Sequence, residues 1–450
     1  MDLPGLKQRA AARIDTACAS LDDLAIAIHD RPELGYEERF ASGALADFLV
    51  REGLPVTRGA GGVATAFVSE TKTGGGPTVA ICAEYDALPG IGHGCGHNLI
   101  ATGGVGAYLG VAAVAKELKG TVRLIGTPAE EGGAGKVRLH AAGVFDGVDA
   151  AMMFHPADAD VLDPLMVALR VLDLEFRGKA AHAAAAPSSG VNALDALMLG
   201  WSAMSALRQL VRSDSRIHGI ITDGGQASNV IPERAAARVV VRAGDPSYLG
   251  DLRRRVLACF EGAATATGCE LRYEWGEAMD MVTTNAPLAA ALGENARSLG
   301  RVLGPRRSGE TSGSTDMGNI TSLIPSIHPF FSVSADRVPW HSREFAAAAL
   351  AENARSLGRV LGARRSGETS GSTDMGNITS LIPSIHPFFS VSADRVPWHS
   401  REFAAAARTP RALETMHVAA KALAFTAIDL LARPDLLKQT KAAFTPARRK

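Results

Sequence analysis

Residues 77–133 read PTVAICAEYDALPGIGHGCGHNLIATGGVGAYLGVAAVAKELKGTVRLIGTPAEEGG, and this stretch decides the fold. PTVAICAEYDA and TVRLIGTP are apolar runs of strand length, each leading into a loop rich in Gly or Pro. Between them, LIATGGVGAYLGVAAVAKELKG has the length and apolar content of a buried helix. A strand, helix, strand unit of this kind belongs to a mainly parallel sheet covered on both faces. The residues that carry chemistry fall in the loops after the strands: His93, Cys95 and His97 after the first, Glu130 and Glu131 after the second. Open α/β sheets place their sites at those strand ends.

Working outward, an amphipathic N-terminal helix and a second helix in HDRPELGYEERFASGALADFLVREG precede a strand, GVATAFVSE. Downstream, KVRLHAAGVF reads as a helix and DAAMMFH as a short buried strand ending at His155. From about residue 172 the rhythm becomes strand, helix, strand, strand, helix, strand, running from VLDLEFRG to CELRYEWGEA. That is the split βαβ, ferredoxin-like pattern, compact enough to form an inserted domain. The expected organisation is a catalytic domain over 1–171, an inserted lid and dimerisation domain over 172–283, and the rest of the catalytic domain over 284–450.

Composition excludes several roles. Of 450 residues, 46% are apolar and 21% charged, which suits a globular chain with a large core. Lys plus Arg equals Asp plus Glu at 47 each, so no net charge draws the chain to nucleic acid or an anionic membrane. Apolar runs fall short of the roughly 18–20 residues that span a bilayer, and the N-terminus lacks a signal peptide's apolar stretch. Five scattered cysteines argue against a disulfide framework and for a reducing cytoplasm.

Residues 289–349 recur at 347–407, differing only at Gly293 against Ala351 and Pro305 against Ala363. Solenoid repeats drift in sequence and need several units to stack, so this pair reads as a recent duplication, or as an artefact of cloning or sequence assembly, rather than a repeat architecture. A core strand or ligand can fill its place only once, so one copy is surplus. Continuity with the last helix favours the second copy as the docked one, which would make residues near 286–344 an excursion.

The loop GHGCGHN offers thiolate and imidazole within five residues on a Gly-rich backbone, a set suited to a zinc-like ion. Adjacent Glu130 and Glu131 could divide their roles between ligand and general base, although such a pair alone is usually a solvated surface feature. His155 gains weight from those two loops. His341, or its duplicate His399, lies in PWHSREF and would read as a surface residue out of context.

Together AEYDALPGIGHGCGHN (83–98), GTPAEEGG (126–133), FHPAD (154–158), FRGKAAHAAAAPSSGVNALDA (176–196), GGQASNVIPERA (224–235) and GSTDMGN (313–319) resemble the M20 family of co-catalytic metallopeptidases and amidohydrolases, in its aminoacylase-like branch. The resemblance implies two divalent metal ions per subunit, zinc in the first place and manganese as the alternative. It implies Cys95, His97, Glu131, His155 and His399 as ligands and Glu130 as the general base. Asp86 would stand behind a ligand, and Asn98 is assigned no metal. On the inserted domain, His182 would polarise the scissile carbonyl, across a homodimer interface, and Asn229 would hold substrate. The implied activity is hydrolysis of the amide bond of a dipeptide or an N-acyl or N-aroyl amino acid. The competing reading is a duplication-damaged, non-catalytic paralogue that keeps the fold and binds a metal or ligand.

Overall fold

The computed structural model describes residues 1–157, 159–305, 313–333 and 407–444. Helix α1 (Leu3–His29) begins where the Asp2 side chain accepts a hydrogen bond from Gly5 N, with Pro4 in the first turn. Its buried positions Leu6, Ala10, Ile14, Ala17, Leu21, Leu24 and Ile28 recur every three or four residues and seat one face on the core. After α2 (Arg39–Arg51) come β1 (Thr57–Arg58), β2 (Phe67–Thr73) and β3 (Thr78–Ala83). Helix α3 (His97–Val114) crosses to β4 (Gly120–Gly126), and α4 (Gly135–Ala141) leads to β5 (Ala150–Met152) and β6 (His155–Ala157).

Helix α3 is buried on nearly every side, which explains its uniformly apolar sequence. Gly103 lets it approach the sheet: a Cβ there would lie 2.5 Å from the Phe154 ring. By length and composition, His97–Glu117 and Pro410–Ala432 could each cross a membrane, which corrects the expectation that no run is long enough. Both are mostly buried inside the fold, as core helices are.

The second unit runs β7 (Ala168–Arg177), α5 (Ala193–Leu207), β8 (Arg216–Asp223), β9 (Arg234–Ala243), α6 (Pro246–Thr267) and β10 (Glu270–Met279). Its strands are ordered β10-β7-β9-β8 and all pair antiparallel, the order of a split βαβ unit. Asn192 and Asp245 cap the two helices with their side chains. Leu172, Leu174, Phe176, Leu197, Val256 and Phe260 fill a core separate from that of the first unit. Strand β8 is left at the sheet edge, with Ile220 and Ile221 exposed.

The chain then returns to the first unit through α7 (Ala286–Ser298), α8 (Met317–Thr321), β11 (Ser326–Ile327) and β12 (Phe330–Ser332). Helices α9 (Pro410–Ala432) and α10 (Pro434–Ala442) close it. The main sheet has the order β1-β2-β4-β3-β5-β11. Strands β4, β3, β5 and β11 are parallel, whereas β1 and β2 join antiparallel, so the sheet is mixed. Strand β3 feeds β4 on one side and β5 lies on the other, so the loops after these strands diverge around a crevice.

The duplication resolves differently from expectation. The first copy supplies α7, β11 and β12, with Ile327 opposite Met152 and Phe330 opposite His155. Residues 286–305 and 313–333 therefore belong to the folded core and not to an excursion. Leu288 and Leu292 of α7 are fully buried in the same core as α9, so the next strand segment lies beside β5 as soon as the chain returns. The end of the second copy is also anchored: Ala407 is fully buried and its carbonyl accepts a hydrogen bond from Asn98 Nδ2 at 2.8 Å. His341 and His399 both lie outside the described residues.

Candidate metal centre

Gly96 adopts φ 73° immediately before α3, a left-handed turn that glycine makes without strain. It lets Cys95 end the loop and His97 open the helix. The ligand atoms of Cys95, His97 and His155 lie within 4.8 Å of one another, and all three residues are buried. Those of His97, Glu130 and Glu131 converge equally closely. The rings of His97 and His155 meet edge to face, with centroids 5.8 Å apart.

Asp86 ties the ligand-bearing loops together. Its Oδ1 accepts from His97 Nδ1 at 3.0 Å, and its Oδ2 accepts from Glu131 N at 2.9 Å. With Nδ1 engaged by Asp86, His97 turns its Nε2 toward Glu84 Oε2 (3.5 Å), Glu131 Oε1 (3.8 Å) and Glu130 Oε2 (4.0 Å). His155 Nδ1 lies 2.6 Å from the carbonyl of Pro156.

Charge accumulates here. Glu84, Asp86, Glu130 and Asp316 are buried close to Glu131, and Lys136 is the buried ammonium among them. Burial raises the Glu130 carboxyl well above the usual range, and the charges of Glu84 and Glu131 raise it further. Burial also lifts the Cys95 thiol, again helped by Glu131 and Glu130. Burial would raise Asp86 too, but the charge of His97 and its hydrogen bond outweigh that and hold Asp86 below its ordinary value. Burial lowers His155, and His328 and His97 lower it further. Such an excess of buried anion calls for cations.

The donor set fits divalent metal. His97 Nε2 and Glu84 Oε2 are buried, face each other and have no hydrogen-bond partner. Thiolate, imidazole and carboxylate together suit zinc-like ions.

The structure therefore brings together Cys95, His97, Glu130, Glu131, His155 and Asp86. His93 turns away: its Nε2 lies 3.2 Å from the carbonyl of Ile28. Asn98 is engaged by backbone carbonyls of Ala25 and Ala407. His182 and Asn229 are exposed on the second unit, on two segments paired by Ala183 N to Asn229 O at 3.0 Å. His182 Nδ1 accepts from Ala184 and Ala185 N, which leaves Nε2 as its donor.

Sequence reasoning missed four residues here. Glu84 and Asp316 are both held by the Lys136 ammonium, the second at 2.6 Å. His328 is fully buried, with its ring centroid 5.6 Å from that of His155. AEYDALPG and GSTDMGN carry Glu84 and Asp316 and could have pointed to them. Nothing in the spacing marked Lys136 or His328.

With that geometry in place, the chain belongs to peptidase family M20/M25/M40, whose profile matches residues 80–363. It is 40% identical to the Xaa-Arg dipeptidase of Mus musculus over 371 residues, covering 77% of this chain and 84% of the relative. It is 31% identical to a p-aminobenzoyl-glutamate hydrolase component of Escherichia coli (strain K12), covering 93% of this chain and 90% of that one. Among solved structures, the aminobenzoyl-glutamate utilization protein of Klebsiella pneumoniae matches with TM-score 0.61 at 22% identity, over 71% of this chain and 92% of that one. A Bacillus subtilis protein described as a dinuclear metal-binding M20 peptidase matches with TM-score 0.56 at 23% identity, over 71% and 89%.

Proposed function

We propose that this protein is a metal-dependent hydrolase of the amide bond in a dipeptide or an N-acyl or N-aroyl amino acid. The observation that carries the reading is the convergence of Cys95, His97, His155 and Glu131 beside Glu130 at the strand ends. Cys95, His97, Glu131 and His155 would hold two divalent ions, with His341 or His399 as a further ligand. Zinc is the expected metal, given the thiolate and imidazoles. When bound, the ions supply Lewis acidity and a water of lowered pKa.

Glu130 would take a proton from the attacking water and return it to the amine nitrogen as the C–N bond breaks. Asp86 fixes the His97 tautomer and positions the Glu131 loop. His182 would donate from Nε2 to the oxyanion, and Asn229, next to it, would hold polar groups of the substrate.

His182 is exposed on the second unit, which supports a lid that completes the site on closure or a partner copy that supplies the histidine. Exposed Met198 and Leu199 on α5 and Ile220 and Ile221 on edge strand β8 support a homodimer through that unit. None of the five cysteines, all among the described residues, forms a disulfide, in keeping with a reducing cytoplasm.

The likeness to Xaa-Arg dipeptidases makes short peptides ending in arginine the first substrates to try, with p-aminobenzoyl-glutamate and N-acetyl amino acids beside them. The test is metal content together with turnover across that panel. Hydrolysis abolished by chelator and restored by zinc or manganese is expected. A metal-free protein inert to every member would overturn the reading.

A further inference from the structure

Behind the metal centre, Lys136 lies in the first turn of α4 with its side chain fully buried. Its Nζ is bonded to Glu84 Oε1 and lies 2.6 Å from Asp316 Oδ1, while its backbone N donates to Asp316 Oδ2 at 2.8 Å. Glu84, Glu130 and Asp316 each turn an oxygen to within 4.8 Å of the others, and all three are buried. Oxygens bound to one divalent ion at about 2.1–2.4 Å can be no more than roughly 4–5 Å apart, so this trio has the dimensions of a cation site. The Lys136 ammonium is bonded to two of these three residues, Glu84 and Asp316.

We propose that Lys136 is an internal cation, filling a site that these carboxylates would otherwise offer to a further divalent ion. By holding Glu84 Oε1 it leaves Oε2 to face His97, which makes Lys136 a positioning residue for the adjacent centre. The inference draws on the proposed metal centre only for what Glu84 faces. An all-oxygen set prefers hard cations such as Mn²⁺, whereas the Cys95 set prefers zinc, so the two sites can be told apart by metal.

The test counts zinc and manganese bound per subunit in the full-length protein after dialysis against each ion. It compares wild type, Lys136→Met and Lys136→Met/Asp316→Asn. Lys136→Met should bind one Mn²⁺ more than wild type, and the double variant, with one carboxylate fewer, should not. A Lys136→Met protein that folds only when Mn²⁺ is supplied would support the proposal equally. An unchanged Mn²⁺ count in folded Lys136→Met would overturn it. So would failure of Lys136→Met to fold in Mn²⁺, whether or not the double variant folds, because the ammonium would then not be exchangeable for a metal. A wild type holding no metal would sink the proposed function and leave this difference measurement readable.

Discussion

His97 donates from Nδ1 to Asp86 Oδ1 at 3.0 Å, while the other oxygen of that carboxylate receives Glu131 N at 2.9 Å. One buried side chain thus fixes the orientation of one candidate ligand and the backbone of another. Asp86→Asn would keep the shape and weaken the charge that orders both loops. Removal of a partner of this kind typically lowers metal affinity about 10- to 100-fold. Competition against a calibrated chelator should show that loss, and an unchanged affinity would assign Asp86 a purely structural role.

Cys95→Ser replaces a soft thiolate by a weak hydroxyl ligand. Zinc binding should fall more than manganese binding, so the zinc to manganese preference narrows. Equal affinity for zinc in both proteins would remove the sulfur from the centre.

Glu38 is fully buried, and burial raises its carboxyl from 4.5 to about 7. Its Oε1 accepts from Ala129 N at 2.8 Å, where Ala129 takes φ 59° immediately before Glu130. A folded value above the unfolded one favours the protonated fold. The contribution is therefore complete below about pH 4.5 and is lost as pH rises through about 7. At most this is worth about 3 kcal/mol. Glu38→Gln cannot ionise, so its Tm should fall less than that of wild type between about pH 5 and pH 8. Identical slopes would show that Glu38 does not titrate in that range.

Strand periodicity and loop composition made most of the fold legible, including the βαββαβ unit, because each element carries its own local signal. Cys95, His97, Glu130 and Glu131 were legible for the same reason: they cluster in two short stretches after strands, with His97 at the start of α3. Lys136 was not, since a lysine at a helix start looks solvated and its partners Glu84 and Asp316 lie 52 and 180 residues away. His328 reaches His155 only through the pairing of β12 with β6, which no spacing announces. The choice of docked copy also failed locally, because two near-identical segments carry the same signal. Packing of α7 against α9 decided it for the strands.

Strand β12 ends at Ser332, Val333 N donates to Ala157 O, and Ala407 is buried with its carbonyl bonded to Asn98 Nδ2. Deleting residues 334–391 joins Val333 to Ser392 and removes one repeat length of 58 residues. The shortened protein should keep metal content and turnover, with His399 as its one remaining PWHSREF histidine. Loss of either would show that the extra copy contributes to the centre. In the full-length chain, metal loss in His399→Ala but not in His341→Ala would assign the ligand to the second copy, and the reverse would assign it to the first.

The central claim is that Glu130 moves the proton in an amide hydrolysis carried out at this metal centre. The most direct measurement is kcat/KM of metal-replete Glu130→Gln on the best substrate of the dipeptide and N-acyl panel, with bound metal counted on the same sample. A fall of about 10²- to 10⁴-fold with metal content unchanged is the predicted result. Near-normal turnover in the metal-loaded variant would contradict it.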